Sequence, residues 1–188
     1  LGTISRLGID RIIDRSNSRR ARLVLAMVAQ RVIEPDSKLA CAQALREDTL
    51  TSSLGEVLDV SRADEDDLYE AMDWLVSQQD RIEKALARRH LTEGTLVLYD
   101  VSSAALEGTQ CELGKIGYAR DGVKGRQQVV YGLLTTKEGC PVAVQVFEGS
   151  TGDPATVWHQ VAKLKEQFKL SSVVLVGDRG MMTEARLR

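Results

Sequence analysis

Residues 95–101 read TLVLYDV, and the reading of this stretch decides the fold. It is β-rich and nearly continuous in apolar residues up to Asp100, the mark of a strand covered on both faces. Working outward toward the C-terminus, residues 128–135 (QVVYGLLT) and 141–147 (PVAVQVF) predict two more strands. Lys137, Glu138 and Gly139 between them suit a tight hairpin turn, so these two strands should pair antiparallel. Asp153 then offers a helix cap with Pro154 at the first helical position, and Val157, Val161, Leu164 and Phe168 follow at helical spacing. Residues 172–176 (SVVLV) form a last apolar strand that ends in Gly177-Asp178-Arg179-Gly180, with a short helix expected from about Met182. The order β-β-β-α-β predicts an α/β sheet with helices on its faces.

Toward the N-terminus the period changes. Residues 19–32 carry Leu23, Val24, Met27, Val28 and Val32 as one apolar stripe, with Ser18 as the cap. Pro35 breaks that helix and fits the first turn of the next, which runs through Leu39, Ala42 and Leu45. The clearest periodicity spans residues 64–89. Leu68, Ala71, Met72, Leu75, Val76, Ile82, Ala85 and Leu86 share a face, acidic residues open the helix and Arg88 and Arg89 close it. The pattern leaves open whether a break falls near residues 78–80. Residues 1–93 thus read as a helical region and residues 94–188 as the start of a separate α/β domain, with the boundary at Thr92 to Gly94.

The chain has 188 residues, 43% hydrophobic and 28% charged, with a formal net charge of −2, which fits globular structure and argues against wholesale disorder. Its longest apolar run, residues 23–29, is far short of the roughly 20 residues a membrane span needs, so no membrane partner is expected. No secretory leader is visible. The first residue is Leu1, which suggests an internal piece of a longer chain. Cys41, Cys111, Cys140, His90 and His159 are scattered without zinc-ligand spacing, and the cysteines read as free thiols of a reducing cytoplasm.

The chemistry centres on Asp100 and Asp178. Each ends an apolar strand of the kind found at a sheet centre, and sites in open α/β sheets cluster at strand carboxyl ends. If the two strands are parallel neighbours, their carboxylates converge. Bare, such a pair repels; a divalent cation removes that penalty, and Mg²⁺ is commonly held by one or two carboxylates plus phosphate oxygens. Two such ions stabilise the attacking and leaving oxygens of an in-line phosphoryl displacement. Against this stands the plainer reading of each aspartate as a turn or helix cap, and the residues alone leave the two open.

Tyr99-Asp100-Val101-Ser102-Ser103, Gly117-Tyr118-Ala119-Arg120-Asp121-Gly122, the stretches 128–134 and 141–147, Gly149, Asp153 and Val176-Gly177-Asp178-Arg179-Gly180-Met181 occur in an order that resembles insertion-sequence transposases of the DDE class. The resemblance covers essentially all of residues 95–188, and more weakly the helical region before them. It implies an incomplete ribonuclease H-like mixed sheet preceded by an all-α region, in a bacterial cytoplasmic protein. It further implies that Asp100 and Asp178 are the first two catalytic carboxylates. Both would bind Mg²⁺, with two ions in the complete enzyme and Mn²⁺ as a substitute, for strand cleavage and strand transfer at transposon ends. The implied partners are DNA, as transposon ends and target, and a second subunit in the synaptic complex. The family's third carboxylate, a glutamate in a Tyr-x-x-Arg-x-x-x-Glu helix, has no counterpart before Arg188. Glu184 is too close to Asp178 to serve and reads as surface helix. The chain by itself is therefore expected to be catalytically crippled, with strand 172–176 left as an exposed apolar edge prone to aggregation.

Other signals are weaker. Lys115, Arg120, Lys124 and Arg126 against Asp121 form a basic, glycine-rich loop that reads equally as a holder of DNA phosphates or as a solvated loop. Arg179 reads as a phosphate contact or a salt-bridge partner. The run Arg6, Arg11, Arg15, Arg19, Arg20 and Arg22 is better read as a solvated helix face than as a DNA contact. Trp74 and Trp158 are expected to pack, Asp153 to cap a helix, and His159 is not placed as a general base. Two rival functions remain. A non-catalytic, DNA-binding transposase remnant fits the missing third carboxylate. A haloacid-dehalogenase-type phosphatase would need an acid/base aspartate two residues after Asp100, where Ser102 stands.

Overall fold

A computed structural model describes residues 1–49, 52–118, 120, 122 and 125–177, and divides into two compact units, Leu1–Ile82 and Glu83–Arg188.

The first unit is helical: α1 (Gly2–Arg6), α2 (Ile9–Ile13), α3 (Arg19–Ile33), α4 (Lys38–Ala44), α5 (Leu54–Val57) and the first part of α6 (Glu65–His90). Its core joins Leu23, Val24 and Ala26 of α3 to Leu45, Leu68 and Ala71, with Trp74 packed against it as expected. Ser18 caps α3 by accepting the Ala21 N–H at 3.3 Å. Asp64 and Asp67 accept each other's backbone N–H at the head of α6, at 2.9 and 3.3 Å, a reciprocal cap of the capping-box kind. The open question of a break near residue 79 is resolved, since α6 runs unbroken to His90. Pro35 does not enter the next helix. That helix starts at Lys38, where Ser37 captures the Ala40 N–H at 3.1 Å. Val28, Val32, Met72 and Val76, assigned from periodicity to buried faces, are exposed. The basic run pairs within the unit: Arg19 grips Asp67 with two bonds of 2.6 and 2.7 Å, and Arg22 meets Asp59 at 3.2 Å.

Two carboxyls of this unit make it acid-sensitive. Asp14 accepts the N–H of Ser16 and Ser18 and the Ser16 hydroxyl, and hydrogen bonding, that of the Ser18 side chain foremost, holds its pKa well below the carboxylate range. Arg19 does the same to Asp67. A depressed folded-state pKa contributes stability that is present above the unfolded value of about 4 and is lost as pH falls below it. The urea midpoint should therefore drop between pH 6 and pH 3, and Asp14→Asn should lose less over that interval. An acid slope identical in wild type and Asp14→Asn would remove Asp14 from the account.

The second unit is a mixed α/β structure built on a five-stranded sheet: β1 (Leu96–Ala105), β2 (Lys115–Ile116), β3 (Gln127–Thr136), β4 (Pro141–Glu148) and β5 (Val174–Val176). α7 (Asp153–Ala162) follows β4 and continues into a π-helical turn, Lys163–Gln167. β1 is central, antiparallel to β3 and parallel to β5; β3 also pairs antiparallel with β4 and, at its first residues, with β2. The β3–β4 hairpin closes as expected, with Gly139 at φ +82° and its N–H on the Thr136 carbonyl at 2.9 Å.

β1 differs from its expected two-sided burial. Val97, Tyr99, Val101 and Ser103 are buried, whereas the alternate residues from Leu96 to Ala104 are half-buried or exposed. The covered face packs on Leu164 of the π turn and on Ala87 and Leu91. Among the described residues the opposite face stays open, with Val146 51% and Val174 55% exposed. Glu83, Ala87 and Leu91 recur every four residues, which brings the end of α6 into the sheet's own core. The second compact unit thus includes the last two turns of α6 along with the sheet. Among the described residues, no helix is long and apolar enough to cross a membrane.

Candidate metal and nucleic-acid site

Asp100 projects from the open face of β1, opposite Leu133 of β3 and flanked by Leu98 and Ser102. It is exposed, and one carboxylate oxygen accepts the Val101 N–H at 2.9 Å. On the other side of β1 the parallel register pairs Leu96 with Val174, Val97 with Leu175 and Leu98 with Val176. Asp178, Arg179 and Lys124 lie outside the described residues, as do Glu184 and the helix expected from Met182. Among the described residues, no group of three or more His, Cys, Asp or Glu side chains is arranged to hold a metal.

The basic loop divides. Lys115 is exposed in β2, where it pairs with Gln128. Arg126, also exposed, stands at the same corner of the sheet, just before Gln127, and forms an ion pair with Glu107. Arg120 instead turns inward. Its guanidinium is paired with Asp153, its N–H donates to Ser103 Oγ at 3.3 Å, and its side chain is 12% exposed. Burial pulls its pKa below the usual arginine value. Its Nε and Nη1 have no hydrogen-bond partner among the described residues.

Asp153 is consequently not the helix cap. Gly152 takes the cap position, Asp153 is the first residue of α7, and its carboxylate serves Arg120. The expected stripe reaches the sheet's core, with Leu164 buried and Val157 and Phe168 packed against it and Val161 half-buried, but the fully buried residues of α7 itself are the polar Thr156 and Gln160. Gln160 Nε2 reaches Gln145 Oε1 at 3.1 Å. Trp158 lies off this side and is 49% exposed, contrary to the packing role expected of it. His159, exposed, lies at a tilt against Phe147, with ring centroids 5.4 Å apart. Tyr99 lies across Gly132, where a Cβ would sit 2.1 Å from the phenol oxygen, and burial pushes its pKa up.

Reading of charge and motif missed the groups that hold this corner together. Gln128 is buried, and its Nε2 donates to the carbonyls of Tyr118 and Gly149, each at 2.9 Å. A Cβ on Gly117 would lie 2.0 Å from the Gly149 carbonyl oxygen. The two glycines, both within the quoted motifs, were the signal available in the sequence. No protein-family model, curated protein or solved structure matches this chain.

Proposed function

We propose that the chain belongs to a DNA transposase of the DDE class with a ribonuclease H-like sheet, in which Asp100 and Asp178 are the metal-binding carboxylates. The observation that carries this reading is the parallel register of β5 on β1. Leu98 is paired with Val176, and Asp100 and Asp178 each stand two residues further along the chain. The antiparallel β1–β3–β4 arrangement and Ser102 two residues after Asp100 speak against the phosphatase alternative.

The donor set suits Mg²⁺, or Mn²⁺ in its place: hard oxygen ligands with open positions for water and a phosphate oxygen. Bound there, the metal supplies charge stabilisation to an in-line phosphoryl displacement, first by water on the phosphodiester and then by the freed 3′ hydroxyl on target DNA. The chain's own part is to carry Asp100 on the sheet and to hold the DNA backbone through exposed cations such as Lys115 and Arg126.

The test is Mn²⁺ binding to the full chain, read by electron paramagnetic resonance with and without a DNA duplex. Asp100→Asn and Asp178→Asn should each weaken binding about tenfold or more, since loss of an outer-shell partner alone costs that much. The double variant, left with neither carboxylate, should bind more weakly than either single variant. Undiminished binding in Asp100→Asn would sink the assignment. DNA binding that persists with no Mn²⁺ site at all would support the non-catalytic, DNA-binding alternative.

A further inference from the structure

Tyr118 stands out among the residues of the basic corner. It is 79% exposed, the second most exposed of the large hydrophobic side chains described, yet its backbone is firmly held. The Gln128 amide, itself 2% exposed, fixes its carbonyl at 2.9 Å, and the preceding Gly117 is pressed so closely on the Gly149 carbonyl that no side chain fits there. The Arg120 guanidinium, anchored by Asp153, lies over the ring at 5.9 Å from its centroid. An exposed aromatic ring is not placed this way for packing. It has a rigid mount, a cation over one face and a large open surface. Lys115 lies three residues before it in the same exposed segment.

These are the parts of a stacking platform for nucleobases. Stacking needs a flat π surface whose position does not shift, and basic side chains nearby bring in the phosphodiester chain. Arginine over the ring draws on its quadrupole and keeps it from rotating away. A fully paired duplex hides its base faces inside the stack, so such a platform acts on an unpaired or frayed base. We infer that Tyr118 stacks on an unpaired base of the DNA strand handled by this chain, a reading that rests on the DNA assignment above and adds a preference for strand ends that are open. Tyr118 is a binding residue in this account and carries no chemistry.

The experiment compares the full chain with Tyr118→Ala and Tyr118→Phe by fluorescence anisotropy at low salt. The probes are a fluorescein-labelled blunt duplex and the same duplex with a short single-stranded tail. Wild type should favour the tailed probe. Tyr118→Ala should weaken tailed binding about fivefold or more, the equivalent of the loss of one base–aromatic stack, and so abolish the preference for the tailed probe. Tyr118→Phe, which keeps the ring, should behave as wild type. Because the side chain is exposed, the alanine variant should keep the wild-type circular dichroism and melting temperature. Tailed binding by Tyr118→Ala equal to wild type, or no tail preference in wild type, would overturn the stacking role while leaving DNA binding intact. Failure of wild type to bind either probe would overturn both the stacking role and the DNA assignment.

Discussion

Gly149→Ala should destabilise the sheet unit by about 3 kcal/mol or more, beyond the usual range for overpacking because the obstacles are backbone atoms that cannot rotate aside. A Cβ at this position would lie 2.0 Å from the Gln128 carbonyl oxygen and 2.4 Å from that of Lys115. The first belongs to β3 and the second to β2, so relief requires parting two strands at the point where they pair. Gly149 is also tied at both ends: its N–H donates to the Leu113 carbonyl at 3.0 Å and its own carbonyl accepts from Gln128. Moving it breaks those bonds and strands the Gln128 amide in a buried place, at a further cost for each unsatisfied group. The measurement is urea unfolding of the full chain, with Gly108→Ala as the control. Nothing lies within 4 Å of a Cβ on Gly108, so that variant should unfold like wild type. Equal midpoints for the two variants would mean that the crossing at Gly149 is not as tight as its geometry.

This crossing shows where reading the sequence stops. The stretch 95–101 announced a central strand because apolar and β-branched residues run together there, and hairpin chemistry at Lys137 to Gly139 announced the pairing of the next two. Both are local signals with a local cause. β2 has two residues and no periodicity to detect, since it exists only because the Gly117–Gly149 contact lays Lys115 and Ile116 against the start of β3. Two-sided burial of β1 was the wrong inference from a run of apolar residues. Such a run cannot say how many faces will find a partner, and here Leu98 and Asp100 share the face that the described residues leave open.

Charge was the least legible property. Lys115 and Arg120 look alike in a basic loop, yet one is exposed and the other is half-buried against Asp153, thirty-three residues away. No spacing rule links those two positions, and the same pair explains why Asp153 leaves the capping role to Gly152. The expectation that Asp100 ends its strand came from a local pattern, an aspartate after an apolar run, but β1 continues past it to Ala105 and leaves Asp100 in mid-strand. That the stretches preceding Asp100 and Asp178 are parallel neighbours, with Leu98 beside Val176, is a non-local fact that only the β1–β5 pairing supplies.

The largest electrostatic effect should come from Glu83→Ala. Glu83 and Lys163 meet at 2.7 Å with side chains only 4% and 13% exposed, and Glu83 also accepts the Val144 N–H of β4 at 3.1 Å. Truncating one member of a buried pair leaves the other charge desolvated, which costs about 3–5 kcal/mol, whereas replacing both by apolar groups of similar size is often neutral. The single variant should therefore melt far below wild type, and Glu83→Leu combined with Lys163→Met should recover most of the loss. The comparison separates two roles that the same contact performs. If the double variant recovers, the pair is chiefly a mutual neutralisation, and the hydrophobic spacing of Ala87 and Leu91 suffices to seat the end of α6 on the sheet. If it stays as unstable as the single variant, the bond from Glu83 to the β4 backbone is what fixes that helix end. A single variant within about 1 kcal/mol of wild type would contradict both, since that is the worth of an exposed pair.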